Sequence, residues 1–150
     1  MALLSEQDAK FLTERFAQEL RANVTLEFFA PSTGGIALPG TEWETAEYAR
    51  QILAEVVALS PKLHLVVHSL IAEPAAATAF GITLTPATAL IGTQDYGIRF
   101  YGMPAGYEFA TLIELLLLVS KGEAPLAQES RELVGRLKDD AHIRVFVTPT

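Results

Sequence analysis

The stretch Phe80-Gly81-Ile82-Thr83-Leu84-Thr85-Pro86-Ala87-Thr88-Ala89-Leu90-Ile91-Gly92 reads as a loop, a threonine-proline pair and a short apolar strand. A residue that precedes proline is pushed out of the helical region, and the apolar run over residues 87–91 is too short for a helix. The Thr85-Pro86 pair therefore marks a strand entrance. X-Pro bonds are cis in only about one case in twenty in folded proteins, so the pair by itself does not predict the cis form, and anything stronger comes from what stands on either side.

Working outward, Gly92 to Asp95 reads as a turn, and Gly97-Ile98-Arg99-Phe100-Tyr101-Gly102 as the second strand of a hairpin. Residues 107–120 form a helix that is apolar nearly all round, stopped by Lys121-Gly122. Upstream, residues 73–80 are a short alanine-rich helix opened by Pro74, and residues 63–70 read as a largely buried strand. A long helix ends near Leu59 and starts at Thr41-Glu42-Trp43-Glu44, a capping-box pattern, with Tyr48, Ile52, Leu53 and Val56 on its apolar face. Residues 31–40 hold Gly34, Gly35, Pro39 and Gly40 and read as a loop. Before it, Val24-Thr25-Leu26-Glu27-Phe28-Phe29-Ala30 reads as a strand. Ser5 starts a first helix over residues 7–21, with Ala9, Leu12, Phe16 and Leu20 at helical spacing. A right-handed crossover between the Val24 and Leu63 strands makes those two parallel.

Composition narrows the function classes. The 150 residues carry a net charge of -7 without a Lys/Arg cluster, which argues against nucleic-acid binding. Half the residues are hydrophobic, enough for a substantial core. The amino terminus lacks the basic and apolar regions of a secretory signal, and no apolar run approaches the roughly 20 residues of a membrane span. A soluble, cytoplasmic protein is expected. There is no cysteine, so the chain as given has no disulfide, thiolate metal site or thiol chemistry.

Two segments carry a resemblance. Thr85-Pro86-Ala87-Thr88, with Tyr96-Gly97-Ile98-Arg99-Phe100-Tyr101-Gly102-Met103-Pro104-Ala105-Gly106-Tyr107-Glu108-Phe109, resembles the protein disulfide oxidoreductases, glutaredoxin-like proteins with two thioredoxin-type units in tandem. A more distant resemblance is to the amino-terminal domain of alkyl hydroperoxide reductase flavoprotein subunits. The resemblance covers nearly the whole chain. It implies an α/β thioredoxin-like fold with an extra N-terminal helix and a mixed four-stranded sheet. Thr85, Pro86 and Ala87 would then form the cis-proline, peptide-docking element that faces the active site.

The carboxyl-terminal part supports a two-unit plan. Residues 125–137 read as an amphipathic helix and residues 141–147 as a strand, and Ile143-Arg144-Val145-Phe146 repeats the pattern of Leu26-Glu27-Phe28-Phe29. Residues 1–122 are expected to be one thioredoxin-like unit, and residues 123–150 the first helix and strand of a second. The resemblance implies that Val147-Thr148-Pro149-Thr150 leads into a Cys-Pro-Tyr-Cys site just beyond the chain, making the chain an amino-terminal fragment.

The first unit's own redox site is expected to be degenerate. Counting forward from the first strand places it at Gly34, Gly35, Ile36 and Ala37; counting back from the long helix places it near Trp43 and Ala46. Neither holds a cysteine, and without a thiolate there is no nucleophile for exchange. Trp43 reads as a partly buried helix-start residue or as a substrate-contacting aromatic. His64 and His68 are too far apart on a strand, roughly 13 Å, to share an ion. His142, Glu108 and Glu114 carry no catalytic pattern. No metal, cofactor, nucleic-acid or membrane partner is expected.

The expected function is that of a redox-inactive amino-terminal unit whose parent runs thiol-disulfide exchange, with the parent's second unit, a protein or a peptide as partner. Alternatives are a non-catalytic peptide-binding module and a structural domain that dimerises through the leucine-rich helix of residues 112–119.

Overall fold

A computed structural model describes residues 2–31 and 42–147, the side chains of residues 42 and 43 excepted. In chain order the elements are α1 (Glu6–Glu19), β1 (Val24–Ala30), α2 (Glu42–Val57), β2 (Leu63–Ser69), α3 (Pro74–Ala79), β3 (Ala87–Ile91), β4 (Asp95–Tyr101), α4 (Tyr107–Lys121) and α5 (Gln128–Gly135). The capping box at Thr41 and the site positions Gly34, Gly35, Ile36 and Ala37 lie outside the described residues.

The four strands form one mixed sheet in the order β2-β1-β3-β4. β1 runs parallel to β2, with Val24 opposite Leu63, and antiparallel to β3, with Phe28 opposite Thr88. β3 and β4 pair as an antiparallel hairpin. Period-two alternation then divides the sheet. One face presents Val24, Leu26, Phe28, Leu63 and Leu90 to α1, α2 and α4. The other presents Phe29 and Ala87 to Ala77 of α3 and to Ile82.

The extra helix α1 belongs to the same core, through Leu12, Phe16 and Leu20. Ser5 caps it by accepting the Asp8 N–H at 3.1 Å. Polar ties fix both of its ends. The Glu55 carboxylate accepts the N–H groups of Leu3 and Leu4, each at 2.9 Å, and Lys62 Nζ donates to the Leu20 carbonyl at 2.5 Å. Beyond the helix, the buried Ser120 hydroxyl accepts from Arg21 N–H and Ala22 N–H and donates to the Ala22 carbonyl. A polar group this buried is stable because all its bonds are made.

α4 ends where Gly122 takes a left-handed conformation, φ 70°, which glycine adopts without steric cost. Leu112, Ile113, Leu116, Leu117 and Val119 are all buried, so most of this helix's apolarity is consumed by its own core. On its outer side Ala110, Thr111, Leu115, Leu118 and Pro125 line an open groove of about 470 Å³.

Four expectations need correction. β2 is not largely buried: it is an edge strand, and Val66 and Val67 are exposed. Tyr48 is half exposed, and the inner face of α2 is Ala46, Ala49, Ile52, Leu53 and Val56. Residues 141–147 form no strand and lie exposed, because no described segment pairs with them. The helix before them spans only Gln128–Gly135 and buries no residue.

Candidate functional site

The strand register gathers the site at one end of the sheet. Ala30 lies opposite Ser69, Phe29 opposite Ala87, and Ala87 opposite Tyr101, so the ends of β1, β2 and β4 and the start of β3 share one pole. The Thr85-Pro86 bond at this pole is cis. The Pro86 carbonyl accepts the Gly102 N–H at 2.9 Å, which ties the proline to the loop after β4. Gly102 has φ 91° and Gly106 φ 60°, values that L side chains rarely adopt, so the two glycines shape the Gly102-to-Gly106 loop.

Among the described residues, the backbone N–H and C=O of Thr85 carry no hydrogen bond. Around them the surface is apolar: Leu84 is 69% exposed, Tyr107 79%, and Tyr101 and Met103 are also exposed. A free backbone donor and acceptor beside apolar side chains can pair with an extended peptide.

Behind the pole, β1, β2 and α3 enclose an aromatic and acidic cluster. The His68 ring stacks on Phe29 with centroids 4.7 Å apart, and Phe80 packs edge-on against Phe29 at 5.8 Å. His68 Nε2 lies 2.7 Å from Glu27 Oε2. Glu73, the residue before α3, accepts the Ser69 N–H at 3.1 Å and places the same carboxylate oxygen 3.3 Å from His68 Nδ1. Reading the histidines only as a metal pair misses this cluster. Its partners come from β1 and α3, and only the inter-strand register brings them together.

On the far side, Arg99 of β4 donates from Nε to the Phe80 carbonyl at 2.8 Å and holds Asp95 through two bonds of 2.9 and 2.6 Å. The guanidinium lies 5.8 Å from the centre of the Phe80 ring. Its hydrogen bonds lower the Asp95 carboxyl to a pKa of about 2. The arginine of the Gly97–Gly102 segment thus fastens the end of α3 to the hairpin.

Of the remaining sequence-derived positions, Ala46 is a buried core residue of α2, Trp43 lies in the first turn of α2 with its side chain undescribed, and Thr85, Pro86 and Ala87 come together at the pole. Among the described residues no three His, Cys, Asp or Glu side chains are grouped to hold a metal ion, and no helix is long and apolar enough to cross a membrane.

The mixed sheet, the closing hairpin and the cis-proline at a strand entrance decide the architecture. The fold is thioredoxin-like. No protein-family model matches the sequence, and no curated protein matches it. Solved thioredoxin-like structures do. A mutant of the alkylhydroperoxide reductase AhpF from Enterococcus faecalis superposes with a TM-score of 0.73 at 26% identity, over 89% of this chain and 61% of that one. The NTD_N/C domain of the same protein gives 0.68 at 24%, over 86% and 58%. A protein disulfide oxidoreductase from Aeropyrum pernix gives 0.73 at 24%, over 89% and 55%. These are the two groups that the Thr85–Thr88 and Tyr96–Phe109 segments resemble. The chain spans 55–61% of the length of these structures.

Proposed function

We propose that this chain is the redox-inactive, amino-terminal thioredoxin-like unit of a two-unit protein of the disulfide-oxidoreductase kind. Residues 1–122 form the unit, and residues 123–150 begin a second one. The carrying observation is a thioredoxin-like fold with its cis-proline retained and no cysteine anywhere in the chain. Thiol-disulfide exchange begins with a thiolate attacking a sulfur, so this unit by itself has no nucleophile. The parent's chemistry would reside in the second unit, and the first would serve as scaffold. The open groove on α4, which Pro125 borders where the chain leaves the unit, supports a neighbour on that side.

Reduction of insulin disulfides by dithiothreitol tests the inactivity. The chain should not accelerate precipitation above the uncatalysed rate, and clear acceleration overturns the reading. Sequence beyond Thr150 in the encoding gene tests the two-unit plan: a Cys-x-x-Cys pair directly following supports it, and a stop codon refutes it.

The unpaired Thr85 backbone and its apolar rim favour a second reading, a peptide-docking module. Amide shifts on adding extended apolar peptides should cluster on residues 84–87 and 101–107. Their absence across a broad peptide set sinks this reading and leaves the scaffold untouched.

A further inference from the structure

The sheet has two edges, and they are built differently. On β4 the ladder register is irregular between Ala89 and Ile91, Gly97 has φ 79°, and Arg99 and Asp95 form an ion pair. An irregular, charged edge resists pairing with another strand. β2 has none of these devices. It pairs with β1 over Leu63–Ser69 without a register shift, contains no Pro, Lys, Arg, Asp or Glu, and exposes Val66 and Val67.

The hydrogen bonds fix which backbone groups of β2 face outward. The Val24 N–H donates to the Lys62 carbonyl and the Leu70 N–H to the Ala30 carbonyl, so even-numbered residues turn their backbone to β1 and odd-numbered ones turn it away. Some of the outward groups are engaged locally. The Leu63 N–H donates to the Ser60 carbonyl, the Ser69 N–H to the Glu73 carboxylate, and the Ser69 carbonyl accepts the Glu73 N–H. Between these ends, the N–H and C=O of Leu65 and of Val67 have no partner among the described residues.

These four groups complement themselves. We propose that β2 is a self-pairing edge, at which two copies of this chain join antiparallel about a two-fold axis at Val66. Leu65 of each copy then lies opposite Val67 of the other, and each such pair exchanges two N–H to carbonyl bonds. An axis at Leu65 or Val67 would set a free residue against Leu63 or Ser69, whose groups are engaged. Only the Val66 register satisfies all four. It also covers Val66 with its twin on one face and Val67 with Leu65 on the other. The charges agree: the strand carries no Lys, Arg, Asp or Glu to repel its twin, and the exposed His64 comes opposite His68 of the second copy, beside that copy's Glu73 carboxylate. A single strand pair buries less than the roughly 1,200 Å² of a stable interface, so the dimer is weak and forms as the concentration rises. It uses neither the α4 groove nor the function proposed above.

Two measurements on the full chain test the pairing. The chain has no cysteine, so one introduced thiol reports on its own twin. Residues at the axis form a non-hydrogen-bonded pair with Cα atoms about 4.5 Å apart, within disulfide range. Val66→Cys should therefore oxidise to a covalent dimer at least about tenfold faster than Ile71→Cys. Ile71 is 75% exposed, but ten residues of register, about 33 Å, would separate it from its twin. Equal rates overturn the proposal. In the unaltered chain, hydrogen exchange at the Leu65 and Val67 amides should slow about threefold as the chain is concentrated to about 1 mM, with α4 unchanged. Should Val66→Cys fail to fold, this second measurement still decides. Exchange that is the same at every concentration overturns the pairing, whether the two amides are open throughout or already covered within one chain. A dimer that leaves both amides unprotected is built elsewhere and overturns it too.

Discussion

Residues 24–30 and residues 141–147 have similar sequences and different fates. Leu26-Glu27-Phe28-Phe29 and Ile143-Arg144-Val145-Phe146 share an apolar and charged pattern, and each follows a helix. The first is the central strand β1, flanked by β2 and β3, with Leu26, Phe28 and Phe29 fully buried. The second has no regular structure, and Phe146 is 89% exposed. The difference teaches that β-propensity describes fitness for a sheet, and the neighbouring strands create the sheet. β1 has Leu63–Ser69 on one side and Ala87–Ile91 on the other; residues 141–147 have neither.

The largest effect that can break this comparison is a matched pair of truncations. Phe28→Ala should cost about 3–4 kcal/mol in urea unfolding, because it opens a cavity in a packed core. Phe146→Ala should change stability by less than about 0.5 kcal/mol. A comparable loss from both would show that the tail is packed as β1 is.

Ser120→Ala asks how firmly the β1 side of the molecule is tied to α4. It strips the acceptor from the Arg21 N–H and the hydroxyl donor from the Ala22 carbonyl, while the Ala22 N–H keeps the Ser120 carbonyl at 3.2 Å, and it should cost about 1–2 kcal/mol, read from the same unfolding curves. Deleting residues 123–150 sharpens the contrast from the other side. None of the described residues in that segment is buried, so the shortened chain should melt within about 1 kcal/mol of the full one.

The smallest effect concerns the hairpin beside β1. The Asp95 carboxyl is lowered from 3.8 to about 2 by its hydrogen bonds to Arg99. Because the folded value is depressed, its contribution is complete above about pH 4 and drains away as the pH falls toward 2. The Asp95 side chain is 39% exposed, and solvent screening keeps the contribution below about 1 kcal/mol. Asp95→Asn should remove that much of the acid sensitivity in melts taken between pH 5 and pH 2. A steeper acid loss in the variant would contradict the assignment.

Local chemistry made much of this fold readable. Val24–Ala30 and Ala87–Ile91 have the bounds their composition predicts, and Pro86 stands at the strand entrance its neighbours require. Errors arose where the answer depended on position within the sheet. The apolar run of β2 reads as a buried strand, but its place at the edge leaves Val66 and Val67 in solvent. The same limit applies to the site. Thr85 and Pro86 are legible because proline constrains its own neighbourhood, whereas the contacts of His68 cross from β2 to Glu27 of β1 and to Glu73 before α3. Glu27 and Glu73 are 41 and 5 residues from His68 in sequence, and neither spacing carries a motif.

The central position of β1 also has a consequence for how the chain is made. β1 leaves the ribosome early, but its two neighbours come later, and the far one ends at Ile91. At ordinary rates of synthesis about 3–12 s pass between the last residue of β1 and the last of β3. During that interval Leu26, Phe28 and Phe29 have no strand on the β3 side. Leu26 and Phe28 wait longer still for full cover, because α4, which packs on the same face, follows β3 in the chain, so the core of the finished protein closes only near the end of synthesis.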